Sequence, residues 1–117
     1  MSFQKIIIII TLLIGANFFA SFAKADEGNY KITIQDHRFS PTELVIPANQ
    51  KVKVIVENLD STPEEFESFQ LNREKVVSGG GKITIFIGPL KSGSYKYFGD
   101  FHKDIAQGVI LVKETEK

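Results

Sequence analysis

In three stretches of this chain the apolar residues recur at every second position. Ile32 and Ile34 alternate with Lys31, Thr33 and Gln35. Val52, Val54 and Val56 are separated from the flanking polar residues in the same way, with Lys51, Lys53 and Glu57 between and beyond them, and Ile83, Ile85 and Ile87 follow Lys82. A period of two sends successive side chains to opposite faces, so each stretch suits a strand with one dry side and one wet side. Glu43–Ile46, Tyr95–Phe98 and Val109–Val112 are further β-branched or aromatic runs. Between them fall Pro47-Ala48-Asn49, Asn58 to Pro63, Ser78-Gly79-Gly80-Gly81 and Lys91-Ser92-Gly93, all rich in turn-forming residues. The pattern predicts an all-β Greek-key sandwich of about seven strands. Only Asp100 to Ala106 reads as helix, and as a short one. Phe39 is expected in the core, with Pro41 at an edge or bend. The glycines of Ser78 to Gly81 lack the Lys-Ser/Thr ending of a phosphate loop and read as a hairpin turn.

The N-terminus has a different grammar. Lys5 precedes an apolar run from Ile6 to Phe22, and Ala23-Lys24-Ala25 supplies small residues around a cleavage point. Positive start, apolar middle and small-residue end describe a signal peptide over 1–25, leaving one exported domain over 26–117. A retained anchor is the alternative, since the run sits at the lower length limit for a bilayer core of roughly 30 Å. Cleavage would remove Lys5 and Lys24 and leave 12 basic against 14 acidic residues. That balance offers no basic face for nucleic acid. There is no cysteine, so neither disulfides nor thiolate chemistry is available.

Larger motifs carry a resemblance. Phe39-x-Pro41, Leu44-x-Ile46-Pro47-Ala48-Asn49 and Val52-x-Val54-x-Val56-x-Asn58 resemble the first half of bacterial cupredoxin-like domains. Pro89-Leu90-x-x-Gly93-x-Tyr95, Tyr97-Phe98-Gly99-Asp100-Phe101-His102 and Gly108 to Val112 resemble the second half, which carries the copper loop. Glu64-Glu65-Phe66-Glu67-Ser68, followed by Leu71 and Arg73 to Val77, is similar to the EfeO-type cupredoxin-like domains, including small periplasmic ones associated with iron uptake. The resemblance implies a periplasmic location, a bound iron or copper ion, and a membrane iron-transport complex as partner.

The same alignment excludes type 1 copper. That centre needs two histidines, a cysteine thiolate and a weak axial ligand, often methionine. Here Glu64 stands at the first histidine position, Gly99 at the cysteine, His102 at the second histidine and Ala106 at the methionine. What remains is oxygen and imidazole. The loop after Asn58 and the loop before Gly108 share one end in cupredoxins, which implies that the glutamates approach His102. The expected metal ligands are Glu65, Glu67 and His102, with Glu64 and Asp100 as further contributors. Such donors suit harder or borderline cations. Glu65 and Glu67 share a strand face, whereas Glu64 shares the other with Phe66, so all three converge only if the strand bends. The plainer alternatives are a solvated acidic face, Glu67 paired with Arg73 or Lys75, and His37 as an exposed turn histidine. A different class of function is a non-metal module that docks on a transporter or another exported protein through Glu64 to Phe69. No nucleophile pair or serine elbow points to an enzyme.

Overall fold

Each alternating stretch becomes a strand with one buried face. The computed structural model describes residues 29–115; the signal-peptide expectation over 1–25 lies outside the described residues. Nine strands form among them: β1 (Asn29–Gln35), β2 (Arg38–Ser40), β3 (Glu43–Pro47), β4 (Val52–Asn58), β5 (Glu64–Ser68), β6 (Arg73–Val77), β7 (Lys82–Ile87), β8 (Gly93–Gly99) and β9 (Gln107–Lys113). One sheet has the order β2-β1-β4-β7 and the other β3-β9-β8-β5-β6. Two sheets with a shared apolar interior make the expected sandwich. Parallel pairing of β1 with β4 and of β3 with β9 accompanies antiparallel pairing elsewhere.

The count exceeds the expected seven because two strands carry no alternation signal. β2 is three residues long. β6 is the outermost strand of its sheet and buries only Val77. The Ser78–Gly81 segment also corrects its sequence reading. It follows β6 in one sheet and precedes β7 in the other, so it crosses between sheets and closes no hairpin. Gly79 is needed there because a Cβ would collide with the Ser61 carbonyl oxygen. The short helical expectation shrinks to a single 3-10 turn over Asp100–His102.

Ile32 and Ile34, Val52, Val54 and Val56, and Ile85 and Ile87 all point into the core. At its centre Tyr97 stacks on Phe66 with ring centroids 4.9 Å apart and meets Phe39 edge-on at 4.9 Å. The Tyr97 ring occupies the space over Gly108 that a Cβ would fill. Burial pushes the Tyr97 phenol well above its ordinary range. Its hydroxyl reaches the Pro41 carbonyl at 3.4 Å. These aromatics join β2, β5 and β8, the strands that lead to the loops at one end. Every strand and every core residue among the described residues lies between Asn29 and Lys113, so a chain beginning at Asp26 holds the whole described sandwich.

Phe66 is fully buried in this cluster. Phe66→Ala should destabilise the domain by about 3–5 kcal/mol, as the truncation of a large core aromatic does. Urea unfolding followed by far-UV circular dichroism measures the loss.

Candidate metal centre

Strand β5 decides which carboxylates can meet. Its residues alternate, with Glu64, Phe66 and Ser68 buried and Glu65 and Glu67 half-buried on the opposite face. Nothing bends the strand enough to override that alternation. Its register runs unbroken against β6 from Glu64↔Val77 to Ser68↔Arg73. The five sequence-expected ligands therefore fall into two groups. Glu65, Glu67 and Asp100 form one, and Glu64 and His102 join His37 in the other; in each group one ligand atom per residue lies within 4.8 Å of the others. The set Glu65, Glu67 and His102 is divided between the two faces of β5.

Glu64 is a buried carboxylate with every need met. Its side chain is 2% exposed. Oε1 accepts the backbone N–H groups of Glu65 at 3.0 Å and Phe101 at 2.8 Å. Oε2 lies 2.7 Å from His102 Nδ1. A buried charge persists only when paired and hydrogen-bonded, and this one pins β5 to the 3-10 turn that carries His102. The loop behind that turn is closed by Ala106 N–H to His102 O and Gly99 N–H to Ala106 O, both at 2.8 Å.

His37 was expected as an exposed turn histidine. It does occupy a turn, but its ring is half-buried and stacks on His102 with centroids 3.6 Å apart and planes 12° from parallel. The cause is the two-residue hairpin between β1 and β2, in which Asp36 and His37 both adopt positive φ, 54° and 60°. Side chains with a Cβ disfavour that region. The turn is held by Asp60, whose carboxylate accepts the N–H groups of Asp36 at 2.8 Å and His37 at 2.9 Å. Asp60 is placed in turn by Asn58, a buried side chain whose Oδ1 accepts the Asp60 N–H at 3.0 Å. Asn58 Nδ2 donates to the carbonyls of Thr62 at 2.8 Å and Val77 at 3.1 Å. The only sequence signal for this arrangement is the Asn58-x-Asp60 pair after a strand. Nothing along the chain links it to His37.

The second group faces outward. Partial burial pushes the Glu65 and Glu67 carboxyls above the usual range; for Glu65 the next cause is its hydrogen bond with Asp100, and for Glu67 the Glu74 charge. Glu67 lies directly opposite Glu74 across the β5–β6 ladder. The expected partner Arg73 is engaged elsewhere, donating to the carbonyls of Leu71, Asn72 and Phe86. Like charges facing one another across a sheet are destabilising.

Two pH responses follow from these groups. Backbone N–H donation by His37, ahead of other causes, holds the Asp60 carboxyl below its ordinary value of 3.8. Its contribution is therefore complete above that value and is lost as pH falls through the lower folded value. Asp60→Ala should cost on the order of 2 kcal/mol at neutral pH, the scale of hydrogen bonds to a charged acceptor. The difference from wild type should narrow in acid, as thermal melts between pH 7 and pH 2 would show. Glu67 has the opposite sign. Its raised carboxyl favours the fold below the ordinary value of 4.5 and opposes it once ionised. Glu67→Gln should raise the melting temperature at pH 7 and leave it nearly unchanged at pH 4.

The residues present do not fit a blue-copper centre. The four positions that would supply its ligands do converge, since a Cβ on Gly99 would lie 2.6 Å from Glu64 Cδ and 2.7 Å from Ala106 Cβ. The Glu64 carboxylate thus fills the space of a thiolate side chain. Imidazole and carboxylate are the donors left.

Comparison with known proteins agrees with the architecture. Over 84 residues the chain is 50% identical to the uncharacterized protein RP394 of Rickettsia prowazekii (strain Madrid E), covering 72% of this chain and 67% of that protein. A purple cupredoxin from Nitrosopumilus maritimus superposes with a TM-score of 0.56 at 23% identity, covering 72% of this chain and 99% of that one. Auracyanin A, a blue copper protein from Chloroflexus aurantiacus, superposes with a TM-score of 0.61 at 14% identity, covering 73% of this chain and 98% of that one. Such identities speak for the fold alone. Residues 5–112 match the family described as Cupredoxin-like domain, and with the two-sheet sandwich already in place, the chain belongs to that family.

Proposed function

We propose that this protein is an exported, periplasmic accessory that binds a metal ion through imidazole and carboxylate groups and assists iron or copper uptake. One observation carries the reading: His37, Glu64 and His102 gather where a cupredoxin would hold copper. Donors of this kind suit Fe, Cu(II) and Zn better than Cu(I). The likeness of Glu64 to Ser68 and of the following segment to EfeO-type domains supports iron as the cargo and a membrane iron-transport complex as the recipient. The protein's part is to hold the ion, or to hold it while it is oxidised, with no turnover of an organic substrate. Glu65, Glu67 and Asp100 are an outward-facing acidic group beside this end and would raise the local cation concentration.

A second reading, a docking module without metal, draws on one specific feature. Phe69 is 78% exposed and lies against Phe98 with ring centroids 5.4 Å apart. It adjoins the acidic strand, so an aromatic and acidic surface faces outward there.

Calorimetric titration of the chain from Asp26 with Cu(II), Zn(II), Mn(II) and, under anaerobic conditions, Fe(II) separates the readings. Micromolar or tighter binding that is weakened at least about tenfold by His102→Ala is the expected result. Absence of binding by every ion would leave the docking surface as the function of this end.

A further inference from the structure

Two unfavourable features meet on the outer face of the five-stranded sheet. The first is aromatic. Phe69, just after β5, is 78% exposed and lies against the half-buried Phe98 of β8, with ring planes 59° apart. A phenylalanine left this far in water forgoes the gain that burying its ring would bring. The second is electrostatic. Glu67 stands opposite Phe98 on one side and opposite Glu74 on the other, so both carboxylates share a sheet face with the aromatic pair. Among the described residues no salt bridge reaches Glu67 or Glu74. Arg73 lines the same groove, but its guanidinium is turned to the carbonyls of Leu71, Asn72 and Phe86. Lys75 lies opposite Phe66 and so belongs to the other face. Phe69 divides two grooves. One has Glu67 and Glu74 in its walls, and the other has Lys96, Phe98 and Lys103.

We infer that Phe69 and the facing Glu67–Glu74 pair are a docking site for an arginine-bearing basic segment of a partner protein. This rests on the docking reading given above and names the partner's chemistry; it does not depend on an ion at the histidines. A guanidinium is planar, so it stacks on an aromatic ring while its N–H groups fork to carboxylates. It therefore relieves both features at once, covering Phe69 and compensating the repulsion between Glu67 and Glu74. Other occupants relieve one and worsen or ignore the second. An anionic segment would add to the repulsion, and an apolar one would bury two unpaired charges. A divalent ion would use the carboxylates and leave Phe69 in water. The lysines of the other groove keep a cation on the glutamate side of the ring. The sheet thus carries a surface that costs stability when free, as surfaces kept for function commonly do.

Fluorescence polarisation of a labelled tetra-arginine peptide with the chain from Asp26, at low salt, tests the inference, with tetra-lysine and tetra-citrulline for comparison. Wild type should bind tetra-arginine saturably, tetra-lysine about threefold more weakly for want of ring stacking, and tetra-citrulline not at all. Phe69→Ala should weaken tetra-arginine binding about threefold, and Glu67→Gln combined with Glu74→Gln about fivefold. Proton NMR should show the Phe69 and Phe98 ring signals shifting during the titration. The peptide should also raise the melting temperature of wild type and leave that of the double glutamine variant unchanged. Circular dichroism checks that each variant is folded, and all three substitutions lie on the surface. Equal affinity for tetra-arginine and tetra-lysine, or no binding of either, would overturn the arginine assignment while leaving Phe69 open to another partner. Displacement of the peptide by equimolar Mn(II) would overturn it by making the carboxylates an ion site. Tetra-arginine binding that neither Phe69→Ala nor the double glutamine variant alters, with the ring signals unmoved, would remove the docking reading of this face as well.

Discussion

The buried carboxylate of Glu64 governs the open end of this sandwich. A charge at 2% exposure is tolerable only because three donors surround it. Those donors belong to β5, to Phe101 and to His102, so satisfying the charge also fastens the loop between β8 and β9 onto the neighbouring strand. In a blue-copper protein a metal and its thiolate join these same segments. Here the contact between the Glu64 carboxylate and the His102 ring does so, and the glycine at the thiolate position leaves it room.

A second polar chain supports the first. Asn58 binds the loop after β4, positions Asp60, and Asp60 holds the strained hairpin that carries His37. Each member is hydrogen-bonded, and among the described residues no buried side-chain polar atom lacks a partner. A fully satisfied network of this kind rigidifies what it touches. Its effect is to bring a residue from one sheet against a residue from the loop of the other. The stacked imidazoles are the product of two independent networks that meet at one end of the fold.

The outward carboxylates show the limit of placing residues by proximity in sequence. Glu64, Glu65 and Glu67 are near neighbours along the chain, yet the pleat separates them onto opposite faces. That much was legible, because Phe66 had to be core and Glu65 and Glu67 had to oppose it. That Glu64 would be deeply buried and paired was implied by its alternation with Phe66 but not by its charge, which ordinarily keeps a glutamate in water. His37 gave no such clue. Its neighbours Asp36 and Arg38 are polar, and the turn it occupies is common in hairpins; only the distant Asn58-x-Asp60 pair tells against simple exposure.

By itself the sequence determined the class of fold and the chemical inventory. Period-two alternation requires strands, the Gly and Pro clusters divide them, and the absence of cysteine removes thiolate copper from the possibilities. These are local or compositional facts, and local facts survive without knowledge of the rest of the chain. The tertiary structure alone decided which polar groups meet. It added the two strands without a hydrophobic pattern, sent Ser78–Gly81 across from one sheet to the other, separated Glu65 and Glu67 from His102, and set His37 on the His102 ring. The reason is that hydrogen bonds and ring stacking act over a few ångströms between segments far apart in the chain, and only the closed sandwich sets those distances.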